Sequence, residues 1–107
     1  MDRSSIDWEG PMVAVVTNFD QRGEIDEKAF SINVERMFDN RATGIVVGGC
    51  TGEFWALSHE ERRQLFHLGV KAAQGRGNVI VGTGAVTATE TIQLTQEAER
   101  AGCSIGR

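Results

Sequence analysis

The sequence is poor in cysteine, with two in 107 residues, and this small number excludes a disulfide framework. Cys50 follows the predicted carboxyl end of one strand, whereas Cys103 precedes or opens another. A disulfide bond requires the two Cα atoms to lie within about 7 Å of each other. Because the two positions belong to opposite ends of the predicted sheet, we expect no bond between them.

Long hydrophobic runs and basic clusters are also missing. No apolar stretch approaches the roughly 18–20 residues of a membrane-spanning helix, and the N-terminus lacks the basic and then apolar pattern of a signal peptide. The 11 Lys and Arg residues are spread along a chain of net charge -4, which argues against a nucleic-acid partner. We therefore expect a cytoplasmic protein with neither a membrane nor a nucleic-acid partner.

The sequence does contain a globular composition, with 40% apolar and 24% charged residues, arranged as three copies of a strand-loop-helix unit. The predicted strands are residues 12–17, 44–48 and 79–81, and residues 103–105 begin a fourth. Their continuous apolar runs are typical of a parallel sheet that is covered on both faces. The predicted fold class is therefore α/β, in one modest domain.

Each predicted helix begins at a polar capping residue, which satisfies free backbone N–H groups of the first turn. The predicted caps, with the glutamates that complete a capping box, are Asp26, Ser58 with Glu61, and Thr87 with Glu90. The residues predicted to end the helices are Asn40 in a left-handed conformation, Gly75 with Gly77, and Gly102. The predicted buried side of the third helix consists of Ile92, Leu94, Ala98 and Ala101.

The spacing of the units indicates their architecture. The strands start near residues 12, 44 and 78, which are 32 and 34 residues apart. Eight such units would total about 250–270 residues, the usual length of a (β/α)₈ barrel. The sequence thus predicts about three βα units of such a barrel, with the start of a fourth strand, and a doubly wound open sheet is the alternative.

Two small-residue loops follow the second and third strands. Gly49 to Glu53 comes directly after residues 44–48, and Gly82 to Gly84 comes after residues 79–81. Ligands of parallel α/β proteins bind at this end of the strands, where unpaired backbone N–H groups can hold an anion. The two loops predict a small-molecule site that accepts a carboxylate or a phosphate.

Simpler interpretations accompany these motifs. Cys50 can be a small buried residue, and Glu53 can be structural, holding loop N–H groups. The loop from Gly82 lacks the third glycine of a dinucleotide fingerprint, because Thr87 occupies its place. His59 and His67 have no carboxylate or cysteine at zinc-ligand spacing, so no metal is predicted. The pair at residues 62–63 is interpreted as a solvated helix face.

Three segments together resemble the dihydrodipicolinate synthase and N-acetylneuraminate lyase family of barrel-shaped Schiff-base aldolases and lyases. The matching segments are residues 14–20 with Gly23, residues 49–53 with the following helix start, and residues 79–85 with Thr87 and Glu90. The resemblance covers nearly the whole chain, in the order and spacing of the N-terminal part of the family.

The resemblance implies a mechanism in which a lysine forms a Schiff base with pyruvate or a related 2-oxo acid, without any cofactor. The imine accepts electrons while a carbon–carbon or carbon–oxygen bond forms or breaks. The resemblance assigns substrate binding to Cys50, Thr51 and Gly52, with Cys50 at the position of a hydroxyl that relays protons. It assigns structural support of the site to Gly49, Glu53, Thr17, Gly82 and Gly84.

The chain departs from the family pattern in three places. Cys50 replaces a threonine or serine, and a thiol is a weaker hydrogen-bonding group than a hydroxyl. Asn18 stands where the family usually has proline. The relay tyrosine and the Schiff-base lysine are missing, since the sequence has no tyrosine and its lysines, Lys28 and Lys71, fall on predicted helices. We therefore expect this chain alone not to catalyse the reaction.

An incomplete barrel has a physical consequence. We interpret residues 1–107 as an N-terminal fragment without the C-terminal units, so the first and last strands present unpaired edges that invite association. The inner sheet face, expected to carry Val13, Val15, Ile45 and Val47 or their neighbours, lacks opposing strands. The expected partners are a 2-oxo acid such as pyruvate and a second copy of the chain.

Overall fold

Four parallel strands form one sheet in the computed structural model, which describes residues 9–49 and 54–106. The strands are β1 (Met12–Ala14), β2 (Gly44–Val47), β3 (Asn78–Val81) and β4 (Ile105–Gly106). The helices are α1 (Glu27–Asp39), α2 (His59–Ala73) and α3 (Ala88–Ala101), and a 3₁₀ turn covers Phe54–Ala56. The predicted order of elements is confirmed, with the first strand ending three residues before the predicted residue 17.

The strands lie side by side in chain order, β1-β2-β3-β4, and every pair is parallel. A doubly wound sheet reverses its strand order at a switch point and places helices on both faces. This sheet has no reversal, and α1 packs on α2 while α2 packs on α3 in a single layer. The topology is that of consecutive units of a (β/α)₈ barrel, so the open-sheet alternative is wrong.

The helical layer covers one face of the sheet, which corrects the expectation that both faces are covered within the described residues. Val15, Ile45 and Val47 are buried in the core beneath the helices. Alternate residues of a strand point to opposite faces. Ala14 and Val46, which pair in the register of β1 and β2, therefore lie on the other face, where Ala14 is exposed and Val46 half-buried. The inner face is formed by the neighbours of the residues expected there.

The helix caps agree closely with the predictions. Asp26 accepts a hydrogen bond from the Ala29 N–H, and Ser58 and Glu61 form the complete capping box. Thr87 accepts the bond from the Glu90 N–H at 3.2 Å. The Glu90 carboxylate lies 3.9 Å from Nδ1 of His59, so the second predicted capping box is only half formed.

Two of the predicted helix details are wrong. Asn40 caps α1 with φ -97°, and the left-handed residue is Arg41 at φ 74°. Ile92 is 57% exposed, although Leu94 and Ala98 of the same helix are fully buried. Residues two apart lie on opposite sides of a helix, so Ile92 cannot share the stripe that Leu94 forms. The other cap, Gly102, has the expected left-handed conformation.

Cys103 is buried just before β4, with Sγ 3.9 Å from the carbonyl oxygen of Phe66. Its pairing with Cys50 stays a prediction, because Cys50 lies outside the described residues. None of the helices in the described part of the chain is long and apolar enough to cross a membrane.

Candidate functional site

The loops that follow β1, β2 and β3 meet at one edge of the sheet. Hydrogen bonds continue beyond the named strands, from the Val15 N–H to the Val46 carbonyl at 3.0 Å and from the Gly82 N–H to the Val47 carbonyl at 2.8 Å. Because the strands are parallel, Thr17 and Gly49 lie at the same edge as Gly82 and its loop. This is the edge at which the sequence predicts an anion site.

The central residues of the predicted site, Cys50, Thr51, Gly52 and Glu53, lie outside the described residues. The residues on either side of them are described and are joined by a hydrogen bond. The Phe54 N–H donates to the Gly49 carbonyl at 3.3 Å, and Phe54 opens the 3₁₀ turn that leads to α2. The two ends of the predicted loop are thus fixed to each other.

The backbone of Gly82 lies against the end of β2. A Cβ atom built on Gly82 would overlap the carbonyl oxygen of Gly48. Gly84, in contrast, has no atom within 4 Å of an added Cβ. Between them, Thr83 is 3% exposed. The two glycines that the sequence singled out therefore differ, since one is required by close packing and the other faces open space.

Arg62 is a functional candidate that the sequence interpretation missed. Its guanidinium donates from Nη2 to the Gly82 carbonyl and from Nη1 to the Gly84 carbonyl, both at 2.7 Å. The residue is only 5% exposed, and the interpretation of residues 62–63 as a solvated face is wrong for Arg62. The helical stripe could have identified it, because Arg62 lies four and seven residues before the buried Phe66 and Gly69.

The surroundings of Arg62 explain how a buried cation is held. Its guanidinium lies over the Phe54 ring, 5.3 Å from the centroid, which is within range of a cation–π contact. Burial lowers the pKa of Arg62, while the nearby Glu90 carboxylate acts in the opposite direction. Two charge-assisted bonds to carbonyls partly offset the loss of hydration.

Arg63, the next residue, behaves as the sequence predicts. Its guanidinium pairs with Glu60 and with Glu97, each at 3.1 Å, on the outer side of the helix layer. These two carboxylates raise the pKa of Arg63, with Glu97 acting more strongly. Two adjacent arginines therefore have different environments, one at the candidate site and one at the surface.

Neither lysine lies at the candidate site. Lys28 and Lys71 are both exposed and line one groove between α1 and α2, in the helical layer. The described residues hold no group of three or more His, Cys, Asp or Glu side chains that could bind a metal ion. The described part of the site thus offers backbone amides, carbonyls and a clamping arginine.

Comparisons with known proteins agree with this topology. A sequence model of the dihydrodipicolinate synthetase family matches residues 7–105. A 4-hydroxy-tetrahydrodipicolinate synthase of Mesorhizobium japonicum is 41% identical over 93 residues, which are 87% of this chain and 32% of that protein. The chain spans about a third of the length of the curated relatives that it matches.

Solved structures of similar proteins superpose closely on the chain. Dihydrodipicolinate synthase DapA-2 of Bacillus anthracis has a TM-score of 0.90 and 38% identity, covering 94% of this chain and 35% of its own. YagE, a prophage protein of the dihydrodipicolinic acid synthase family from E. coli K12, was solved in complex with pyruvate. It has a TM-score of 0.87 and 29% identity, covering 92% of this chain and 34% of its own. The four strands and three helices therefore match the N-terminal part of a (β/α)₈ barrel.

Proposed function

The chain belongs to the dihydrodipicolinate synthetase family, and we propose that it carries the carboxylate-binding part of a Schiff-base lyase site for pyruvate or a related 2-oxo acid. One observation supports this most directly. The loop ends at Thr17, Gly49 and Gly82 lie together at the carboxyl edge of a sheet that superposes on a family member solved with pyruvate. Ligands of barrel enzymes bind at this edge.

The proposed binding groups are the backbone N–H groups of Cys50, Thr51 and Gly52, with the Thr51 hydroxyl as an additional donor. N–H groups directed at a carboxylate form charge-assisted hydrogen bonds, which are among the stronger ones in proteins. Cys50 takes the position of the relay hydroxyl, where its thiol is a weaker proton carrier than a hydroxyl group.

Five residues are proposed to support the loop, without contacting the reacting atoms. Four follow from the positions already described or flanking the site, and the fifth, Glu53, holds N–H groups of the loop in this proposal. They are Thr17, Gly49, Glu53, Gly82 and Gly84.

We propose that the chain alone binds the carboxylate without forming an imine. Imine formation requires a neutral amine near the 2-oxo carbon. Lys28 and Lys71 are exposed on helices, in a groove of the outer layer, and an exposed lysine has a pKa near about 10.4 and is a poor nucleophile at neutral pH. The proposal thus separates binding, which these 107 residues supply, from the chemistry of a complete barrel.

The proposal also covers assembly and location. β1 and β4 are the outer strands of the described sheet, and unpaired strand edges favour association with another chain. We propose that residues 1–107 form the N-terminal units of a barrel domain and self-associate through these edges or the uncovered face, in the cytoplasm. A small nucleotide-binding domain is the weaker alternative, since the sheet has no switch point at which a dinucleotide binds.

The test is a titration of the isotopically labelled chain with pyruvate, followed by amide chemical shifts. We expect shifts confined to the three loops at the carboxyl edge, and their loss in Thr51→Val, which removes one hydroxyl group. Thr89→Val is the matched control, because Thr89 is exposed on α3. NAD is expected to leave the spectrum unchanged.

Two results would contradict the proposal. Unchanged spectra at millimolar pyruvate would refute binding, and shifts with NAD would favour the nucleotide alternative. Reduction with borohydride in the presence of pyruvate is expected to leave the mass of the chain unchanged. A pyruvate adduct on Lys28 or Lys71 would show that the chain forms the imine by itself.

A further inference from the structure

We propose that Arg62 is a positioning residue that holds the loop after β2 and the loop after β3 at a fixed separation. This inference rests on the proposed function, since it states how the carboxylate-binding edge keeps its geometry. Arg62 contacts neither substrate nor reacting atoms in this proposal. It acts through the backbone groups and the aromatic ring that it holds.

The first part of the argument is the geometry of the guanidinium. Its two terminal nitrogens donate to the carbonyls of Gly82 and Gly84, each at 2.7 Å. A guanidinium is planar and directs its donors in fixed directions, whereas a lysine ammonium is a single point donor. One side chain therefore fixes two carbonyl groups that are separated by one residue, and with them the path of the loop after β3.

The second part is the contact on the face of the same guanidinium. The plane covers the Phe54 ring at 5.3 Å, and the Phe54 N–H is bonded to the Gly49 carbonyl. Phe54 is the first described residue after the proposed carboxylate loop, and Gly49 is the last one before it. Arg62 thus contacts the exit of one loop by its face and the backbone of the next loop by its edge.

The third part is the direct packing of the two loops. The Gly82 N–H donates to the Val47 carbonyl at 2.8 Å, and Gly82 leaves no space between itself and the Gly48 carbonyl. A displacement of Gly82 must therefore move Gly48 and the start of the following loop. Since Arg62 holds Gly82 from the other side, the position of Gly49 depends on the guanidinium.

Burial of a charge distinguishes this arrangement from ordinary packing. Arg62 is 5% exposed, and its Nε is buried with no hydrogen-bond partner among the described residues. An unbranched apolar side chain would fill the same space without the loss of hydration. The two directed bonds are what the arginine adds, and they end on the loop backbone.

The experiment compares Arg62→Lys and Arg62→Met with Arg63→Lys and Arg63→Met. The Arg63 variants are matched controls on the same helix turn, because Arg63 pairs only with the surface carboxylates of Glu60 and Glu97 in the described residues. Each variant is studied by thermal unfolding, by amide hydrogen exchange and by pyruvate titration at a temperature where all variants are folded.

We expect Arg62→Met to weaken pyruvate binding about tenfold, the factor that corresponds to ~1.4 kcal/mol. Amide exchange is expected to accelerate at Gly49, Phe54 and Gly82–Gly84. Arg62→Lys, which restores a charge and one donor, is expected to recover part of both effects. The Arg63 variants are expected to leave pyruvate binding and loop exchange as in the unsubstituted chain.

A purely structural role gives a different pattern. In that case the Arg62 variants unfold at lower temperature, yet bind pyruvate normally and retain their loop exchange while folded, and the inference is wrong. Failure of the proposed function is separate, since the unsubstituted chain then fails to bind pyruvate. The exchange rates at Gly49 and Gly82–Gly84 still decide the positioning role, and unchanged rates in Arg62→Met refute it.

Discussion

Gly82 packs directly against Gly48, so that the start of the loop after β3 has no room for a side chain at residue 82. The contact joins two neighbouring strands at the edge where the chain is proposed to bind a carboxylate. Because a Cβ atom would overlap backbone rather than the end of a flexible side chain, the strands themselves must separate to admit it. The shape of this edge therefore depends on a residue without a side chain.

The first prediction compares two glycines of one loop. Gly82→Ala is expected to lower the free energy of unfolding by about 1–3 kcal/mol, the range for an overpacked site. Gly84→Ala is the matched control, because an added Cβ has no atom within 4 Å, and its effect is expected to stay within about 1 kcal/mol. Urea denaturation of both variants provides the measurement, and equal losses would contradict the close packing at Gly82.

The second prediction concerns the beginning of α2, whose first turn leads to Arg62. Ser58 accepts from the Glu61 N–H at 3.1 Å, and the Ser58 N–H donates back to the Glu61 carboxylate at 2.9 Å. Ser58→Ala is expected to destabilise the chain by about 0.5–2 kcal/mol, the usual effect of removing an N-cap.

Two further variants control this prediction. Ser58→Asp retains an acceptor at the cap and is expected to remain close to the unsubstituted chain in thermal unfolding. Thr87→Ala removes the cap of α3, where the reciprocal glutamate bond is not formed, and is expected to have the smaller effect of the two alanine variants. A larger loss for Thr87→Ala would show that the capping box adds nothing here.

Much of the fold could be predicted because its signals are local. The caps at Asp26 and Ser58 depend on residues three positions apart, and the strands depend on short apolar runs, which are visible in one sequence. The covering of only one sheet face was not predicted, because a continuous apolar run does not reveal what lies above each face. The position of Ile92 was missed although its spacing from Leu94 already placed it on another side of the helix.

The candidate site was predicted less completely than the fold. Small residues after two strands identified the correct edge, since parallel strands bring their carboxyl ends together. Arg62 was missed because a charged residue beside Arg63 is ordinarily solvated. Its burial depends on carbonyls of residues 82 and 84, about 20 positions along the chain, and such a pairing of a side chain with distant backbone leaves no sequence motif.

The third prediction concerns the uncovered face of the sheet. Val16 is 47% exposed at the end of β1, and Ile32 is 45% exposed on α1. If the chain associates through the sheet, Val16→Lys is expected to shift the sedimentation coefficient toward that of the monomer. Ile32→Lys, at similar exposure in the helical layer, is expected to leave the association unchanged. Dispersal by Ile32→Lys alone would assign the contact to the helices.

The fourth prediction concerns stability at alkaline pH. Burial raises the pKa of the Cys103 thiol from 9.0 to about 12. Above pH 9 the unfolded chain releases this proton while the folded chain retains it, so stability falls as the pH rises from 9 toward 12. The expected slope from this group is about 1.4 kcal/mol per pH unit, since the two states differ by one bound proton.

The absence of tyrosine makes this alkaline range informative, because no phenol titrates in it. Cys103→Ala removes the buried thiol and leaves Lys28, Lys71 and Cys50 in place, so its unfolding free energy is expected to fall less steeply between pH 9 and 12. Loss of the sulfur also lowers stability at every pH, but that loss displaces the curve without changing its slope. Urea unfolding across this range tests the prediction, and parallel curves for the two proteins would mean that Cys103 ionises equally in the folded and unfolded chain.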